Sequence, residues 1–365
     1  MTQCNTKPVK LTIGIDVGDK WCHVAVLDRR GQLMREVKVA TTAKAVAEMF
    51  GTFPRARVAL EVGTHSPWLS RVLTASGHQV IVANARLVRA IALDHKKSDK
   101  VDARTLADLA FIKPERLYPI QHRGEEAQAD LAIVRARHEL VKTRTALINH
   151  VRGAVKSFGQ RLPSSSSAAF ETRVAKDIPE SLGPALMPLL VSIRVLTEEI
   201  KKQTRLIQKL CQEKYRETER LTQVPGVGFQ TGLAFVLTLE DPARFSKSRK
   251  VAAFVGLTPR QKESGDARPQ LGITKCGDRM LRRLLVQCGH YILGHFGEDC
   301  DLRRHGEAIA RRGGGNAKKR AAVAVARKLA VLLHRLWCSG APYEPLRGAS
   351  RKKMSPKMKV PIATT

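Results

Sequence analysis

Acidic side chains are scarce in this 365-residue sequence: 33 Asp and Glu stand against 64 Lys and Arg, a formal net charge of +31. A chain this basic calls for a polyanionic partner. No uninterrupted apolar run reaches transmembrane length and no signal peptide is visible, because charges are interleaved throughout. Nucleic acid, rather than a membrane surface, is therefore the expected partner. The seven cysteines (4, 22, 211, 276, 288, 300 and 338) are odd in number, scattered, and form no CxxC. That excludes a disulfide framework and fits reduced thiols in a cytoplasm. Apolar residues, at 43%, are plentiful enough for a sizeable core, and the length allows two domains of ordinary size. The basic excess is concentrated in residues 311–365, with 14 Lys and Arg against one Glu.

Residues 11–17, 22–28 and 33–39 each read as a strand, with turns at GDK and DRRGQ. Three consecutive short strands imply an antiparallel meander. A helix over 43–51, a strand over 57–63, a helix near 66–76 and a strand over 79–84 make the opening region α/β, in ribonuclease-H-like order. Helical spacing returns at about 99–112 and over 125–158, where Leu131, Val134, His138, Val141, Thr145 and Ile148 form the expected inner stripe. The serines of LPSSSSAAF read as a linker, and 183–220 is helical again. Two such helices suggest an antiparallel hairpin or an intersubunit coiled coil. The expected organisation is an α/β domain over 1–120, a helical coiled-coil region over 121–220, a mainly α domain over 221–310 and a basic tail over 311–365. That tail is expected to be helical over 317–337 and disordered over 345–365.

The scarce acids include four of note. Asp16 ends the first strand between Gly14 and Gly18, Glu61 ends the fourth, and Asp99 and Asp102 lie in KKSDKVDARTLADLA. Ser98 is a candidate N-cap starting a helix at Asp99. Extending the apolar stripe Ala110, Ala107, Leu106, Ala103 backwards by threes and fours lands on Asp102 and Asp99, which places both on the face turned toward the sheet. A carboxylate is costly to bury without a positive partner. Each acid alone reads as an ordinary strand-end or helix-start charge. Four converging on one point imply Mg²⁺ or Mn²⁺, which can clamp the attacking and leaving oxygens of a phosphodiester. Asp108 lies off the stripe and Asp94 precedes a lysine pair, so neither is included.

Farther on, LTQVPGVGFQTG (221–232) has the look of a helix-hairpin-helix. Its turn, with Gly226 and Gly228, presents backbone N–H groups to a DNA phosphate; the bland alternative is a tight turn between helices. Ser264, in KESGD, has Lys262, Arg268, Lys275, Arg279, Arg282 and Arg283 within 20 residues. A serine hydroxyl attacks phosphorus when it is deprotonated and cations stabilise the developing charge. On spacing alone, Ser264 is a turn residue. Cys288, His290, His295, Cys300 and His305 fit no usual zinc spacing and read as ordinary packing.

Taken in order, Asp16, Glu61 in ALEVGTHSPW, Asp99 and Asp102 in KSDKVDA, then VPGVG, FVGLTP, SG and GITKCGDRMLRRLLV resemble the DEDD transposases of bacterial insertion sequences, the IS-one-ten group. The Piv/MooV DNA invertases are related. The matching motifs span about residues 11–295. The resemblance implies a RuvC-like first domain with Mg²⁺ among Asp16, Glu61, Asp99 and Asp102, and a transposase domain whose serine, here Ser264, becomes joined to a DNA phosphate. It also implies homodimers and homotetramers that combine the acidic domain of one subunit with the serine domain of another. A structured guide RNA from the element's own end would pair with donor and target DNA, which delegates sequence choice to base pairing. The implied setting is the bacterial cytoplasm, associated with the nucleoid. Two features depart from the pattern: Asp278 stands where the family often has Asn, and the tail after residue 310 is long and basic.

The leading mechanism is strand exchange through a phosphoserine link. Its alternative is a metal-dependent hydrolytic nuclease of the Holliday-junction type, with Ser264 a bystander. GIDVGD also resembles a phosphate loop of actin- or Hsp70-like ATPases, but a second phosphate loop is missing from the sequence. A non-catalytic packaging protein is the remaining class.

Overall fold

The computed structural model describes residues 9–84, 99–262 and 271–347. Asp94, the candidate cap Ser98, Ser264, Arg268 and the expected disorder past residue 347 lie outside them. Two compact units divide the chain, residues 1–123 and 124–365.

The first unit is built on a five-stranded sheet of order β3-β2-β1-β4-β5. Its strands are β1 (Thr12–Val17), β2 (Trp21–Leu27), β3 (Leu33–Ala40), β4 (Arg57–Glu61) and β5 (Gln79–Ala83). The first three form the antiparallel meander, β4 runs parallel to β1, and β5 runs parallel to β4. This mixed sheet has the ribonuclease-H-like arrangement. Strand alternation sends Ile13, Ile15, Val24, Val26, Val58 and Leu60 to one face. There they pack with Phe50 of α1 (Ala43–Gly51) and with Leu69 and Leu73 of α2 (Ser66–Ala75). The opposite face is lined by small residues, Gly14, Ala25 and Ala59, and receives α3 (Asp99–Ile112) through Ala103, Leu106, Ala107 and Ala110. Those four are the stripe expected from the sequence, and all are buried.

The second unit is helical. Its long helices α4 (Glu125–Ser157) and α6 (Gly183–Glu213) follow one another, with the short α5 (Phe170–Val174) between. Arg137 donates to Thr204 at 2.8 Å and Arg144 to Thr197 at 3.2 Å, so the two long helices run antiparallel. The inner stripe of α4 differs from the expected one. Leu131, Val134 and Ile148 are buried, but Thr145 faces solvent and half-buried Arg137 and Arg144 hold the middle. Thr197 and Thr204, seven residues apart like the two arginines, supply the hydroxyls that make this polar seam tolerable. By length and composition alone α6 would cross a bilayer, with a window of mean hydropathy 1.2; in the fold, Leu186, Leu190 and Ile193 pack on α4 and α5.

After α7 (Thr218–Thr222) comes α8 (Phe229–Leu239), buried from Thr231 onward. It shares a core with α9 (Arg249–Phe254), α10 (Arg279–Leu293), α11 (Asp301–Ala310) and α12 (Ala317–Ser339). The stretch set apart as a basic tail therefore contains a core helix: Val325, Leu329 and Leu333 of α12 are fully buried, while Arg327, Lys328 and Arg335 lie on its exposed side. The amphipathic period of α12 accounts for this, because its charges fall off the apolar stripe.

Candidate active site

The site is assembled from strand ends. Residue 16 on β1 and residue 61 on β4 stand at the carboxyl ends of parallel neighbours, with Ile15 opposite Leu60. Both carboxylate side chains are half-buried and line a cleft of about 330 Å³ together with Gly63, Thr64 and His65. Asp99 and Asp102 arrive from the first turn of α3, which lies on the Gly14 face of the sheet. A Cβ on Gly14 would stand 2.0 Å from the Ala103 carbonyl oxygen and 2.5 Å from the Ala107 amide nitrogen. The absent side chain is what lets α3 lie against β1.

The other three acids act on Asp16. The Asp16 carboxyl is pushed up to about 6, by burial first and then by the charges of Asp99, Asp102 and Glu61, with His23 opposing them. His23 pairs directly with Asp16 across β1 and β2, and its Nε2 lies 3.6 Å from Asp99 Oδ2. It stands between two of the acids and was missed in the sequence. The signal was there: a hairpin turning at GDK sets residue 23 opposite residue 16. Asp99 itself is largely exposed, less inward than its helical phase implies.

The donor set suits a hard divalent cation: all four groups are carboxylates, and the central one is desolvated among like charges. Among the described residues, no three His, Cys, Asp or Glu groups already stand close enough to hold a metal ion. Asp99, Asp102 and Glu61 reach Asp16 through their charge without forming a closed cage.

In the second unit, Gly226 takes a left-handed φ of +85° in the turn before α8, where a Cβ would stand 2.7 Å from the Tyr291 ring. Gly228 is the extended N-cap residue of α8, and nothing lies within 4 Å of the position a Cβ would take. Residues 258–260 and 272–274 pair as antiparallel arms on either side of the stretch that carries Ser264. Gly256 and Gly277, both at positive φ, let the flanking backbones touch: their Cβ atoms would fall 2.1 Å from the Cys276 carbonyl oxygen and 2.0 Å from that of Phe254.

The candidate cations here differ in their commitments. Lys262, Lys275 and Arg279 are exposed, and Lys275 holds a φ of +57°. Arg283 lies 3.0 Å from His138 Nε2. Arg282 is engaged elsewhere, donating to the carbonyls of Val255 at 3.0 Å and Cys276 at 2.7 Å, which makes it a strut between the two arms. Asp278, the departure from the family pattern, is the N-cap of α10: it accepts from the Leu281 amide at 2.8 Å and from Arg135 at 2.9 Å. Asn caps a helix equally well, so the replacement leaves local structure intact. Cys288 is buried against Thr231, and Cys300 caps α11, as ordinary packing requires.

Two family models match the chain. One, the DEDD transposase model, described as a transposase, covers residues 13–159; the other, described as the transposase IS116/IS110/IS902 family, covers 218–300. Together they span more than half of the chain. The transposase for insertion sequence element IS1328 of Yersinia enterocolitica is 29% identical over 76% of this chain and 82% of its own length. The transposase for insertion sequence element IS1111A of Coxiella burnetii is 28% identical over 90% of this chain and 89% of its own length. A probable family 20 transposase of Pseudomonas aeruginosa is 29% identical over 91% of this chain and 98% of its own length. These matches, on a ribonuclease-H-like sheet, establish that the chain belongs to the IS110 family of insertion-sequence transposases, enzymes that cut and rejoin DNA.

Proposed function

We propose that this transposase exchanges DNA strands through a covalent serine intermediate. Asp16, Glu61, Asp99 and Asp102 hold the scissile phosphodiester's environment, and Ser264 is the nucleophile. The observation that supports this reading is the half-buried Asp16 at a strand end, beside the strand end that carries Glu61 and under the charges of Asp99, Asp102 and Glu61. Those residues would hold Mg²⁺, with Mn²⁺ as a substitute, and the ion supplies charge neutralisation and Lewis acidity at the phosphate. The Ser264 hydroxyl attacks phosphorus; an Oγ–P bond forms and the P–O3′ bond breaks, leaving a free 3′ hydroxyl. A recipient 3′ hydroxyl then attacks the phosphoserine and releases the serine. Bond energy is conserved, so religation requires no nucleotide.

Lys262, Arg268, Lys275, Arg279 and Arg283 bear on the phosphates around that serine, with Arg282 bracing the arms. The turn at Gly226 and Gly228 offers the first N–H groups of α8 to a DNA backbone, as in a helix-hairpin-helix. A net charge of +31 supports a load of donor DNA, target DNA and a structured guide RNA. The antiparallel pair α4 and α6 is the proposed coiled-coil contact of a homodimer or homotetramer.

The test is a strand-transfer assay with trapping of protein–DNA adducts. Ser264→Ala is expected to abolish both transfer and adduct. Continued cutting by Ser264→Ala would replace this reading with the hydrolytic nuclease. RNA recovered with the purified protein and its mass by light scattering test the guide and the assembly.

A further inference from the structure

One cavity of the second unit is lined mostly by residues past the last one matched by either family model. It has a volume of about 730 Å³, within the roughly 300–1,000 Å³ of ordinary ligand pockets. One wall is a continuous stripe of α12. Along it Arg327, Lys328 and Arg335 alternate with Ala324, Val331 and Leu332, at the spacing of one helix face. The facing wall is α11, with Leu302, His305 and Ile309; Arg249 of α9 and the segment holding Tyr343 and Arg347 close the ends.

The charge in this groove is one-sided. Five Lys and Arg line it against two acids, Asp301 and Glu344, and Glu344 is already engaged by Arg347 at 3.8 Å. Among the described residues no ion pair joins Arg249, Arg327 or Lys328 to a carboxylate. Burial, then the charges of Lys328 and Arg312, hold the His305 imidazole below its ordinary value. Three exposed cations without a carboxylate partner, set along an apolar floor, raise the local positive potential and attract a polyanion. Cations spaced along a groove, above an apolar floor, fit a chain of phosphates whose sugars face the floor. The chain's net charge of +31 favours a continuous polyanion, a phosphodiester backbone, over an acidic peptide.

We propose that the groove between α11 and α12 is a second nucleic-acid site, which grips the phosphodiester backbone through Arg249, Arg327 and Lys328 apart from the strand-exchange centre. The reading rests on nucleic acid being this chain's partner. The experiment is equilibrium binding of the full-length protein to a labelled duplex DNA and to a labelled single-stranded RNA, each across a range of salt. Arg327→Glu/Lys328→Glu is compared with Arg29→Glu/Arg30→Glu, a charge reversal of equal size on exposed residues of the turn between β2 and β3.

The groove variant is expected to bind about tenfold or more weakly than the control, with a salt dependence shallower by about two counterions. Loss confined to RNA or to DNA identifies which strand the groove holds; either result supports the site. Equal affinities and slopes in the two variants overturn it. Failure of the unaltered protein to bind either probe overturns the partner itself, a distinguishable result. Should charge reversal unfold the unit, as circular dichroism would show, Arg327→Gln/Lys328→Gln makes the same comparison with an expected loss of about threefold to tenfold, and its binding unchanged from the control overturns the site.

Discussion

Gly14 and Ala103 meet backbone to backbone, with room for no Cβ between the strand and the helix that carries Asp99 and Asp102. The position of half the acidic set thus depends on one hydrogen atom. Gly14→Ala must push α3 off the sheet by more than a flexible side chain could absorb, because the obstacles are a carbonyl oxygen and an amide nitrogen. The expected cost is about 1–3 kcal/mol, the range for overpacking. Thermal denaturation should show the lowered midpoint, and strand transfer should fall at temperatures where the protein remains folded. Wild-type activity in a folded Gly14→Ala protein would mean that α3 need not sit where it does.

Much of this site was legible from the sequence because local periods carry it. The strand ends place Asp16 and Glu61, and the small-residue stripe of α3 places Asp102, all by spacing alone. His23 required the hairpin register, which a turn fixes but composition does not announce. The seam of Arg137 and Arg144 was invisible because its partners, Thr197 and Thr204, come from a helix some 60 residues later, a tertiary pairing that no local stripe encodes. For the same reason α12, expected as a helix, was assigned to a basic tail: its charge was plain, but the core its other face meets is built from distant residues.

The charge coupling among the acids makes a prediction about metal. Asp16→Asn removes one of four clustered charges, so the variant should melt at a higher temperature than the unaltered protein in chelator, by a few degrees. Added Mg²⁺ should raise the melting temperature of the unaltered protein by mass action and leave Asp16→Asn nearly unmoved. Strand transfer should be abolished in the variant. Equal Mg²⁺ responses in the two proteins would show that the ion binds elsewhere.

His23 is expected to act through the acids and not on DNA. Its imidazole stands opposite Asp16 and 3.6 Å from Asp99. His23→Ala leaves Asp99 without this anchor and should reduce strand transfer by about tenfold to a hundredfold, a range typical when a group orienting a ligand is lost. A raised Mg²⁺ requirement for activity would mark the role as positioning, and His23→Gln should recover part of the loss. An unchanged Mg²⁺ requirement alongside lost activity would argue for simple misfolding, which circular dichroism would confirm.

The second unit has its own anchor, and its pH behaviour can be worked out. Asp130, nearly buried on α4, accepts from the Lys214 ammonium just after α6 and from the Tyr215 hydroxyl at 2.7 Å. Burial opposes charge on Lys214, yet the hydrogen bonds to Asp130 and Glu126 hold its ammonium well above the ordinary value. Burial, then the Asp130 carboxylate, pushes the Tyr215 phenol up to about 12, against about 10 when unfolded. Between those values the unfolded chain has released a proton that the folded chain still holds, so unfolding becomes easier as pH rises. Stability from this cluster should be complete below about pH 10 and disappear as pH climbs toward 12. Asp130→Asn removes the acceptor charge and should cost about 2 kcal/mol at neutral pH, discounted for the partial exposure of Lys214. Urea unfolding at pH 7, 10 and 11.5 checks both points: the gap between the unaltered protein and Asp130→Asn should narrow as pH rises. A constant gap would show that the alkaline loss originates in other groups and that Asp130 acts by packing alone.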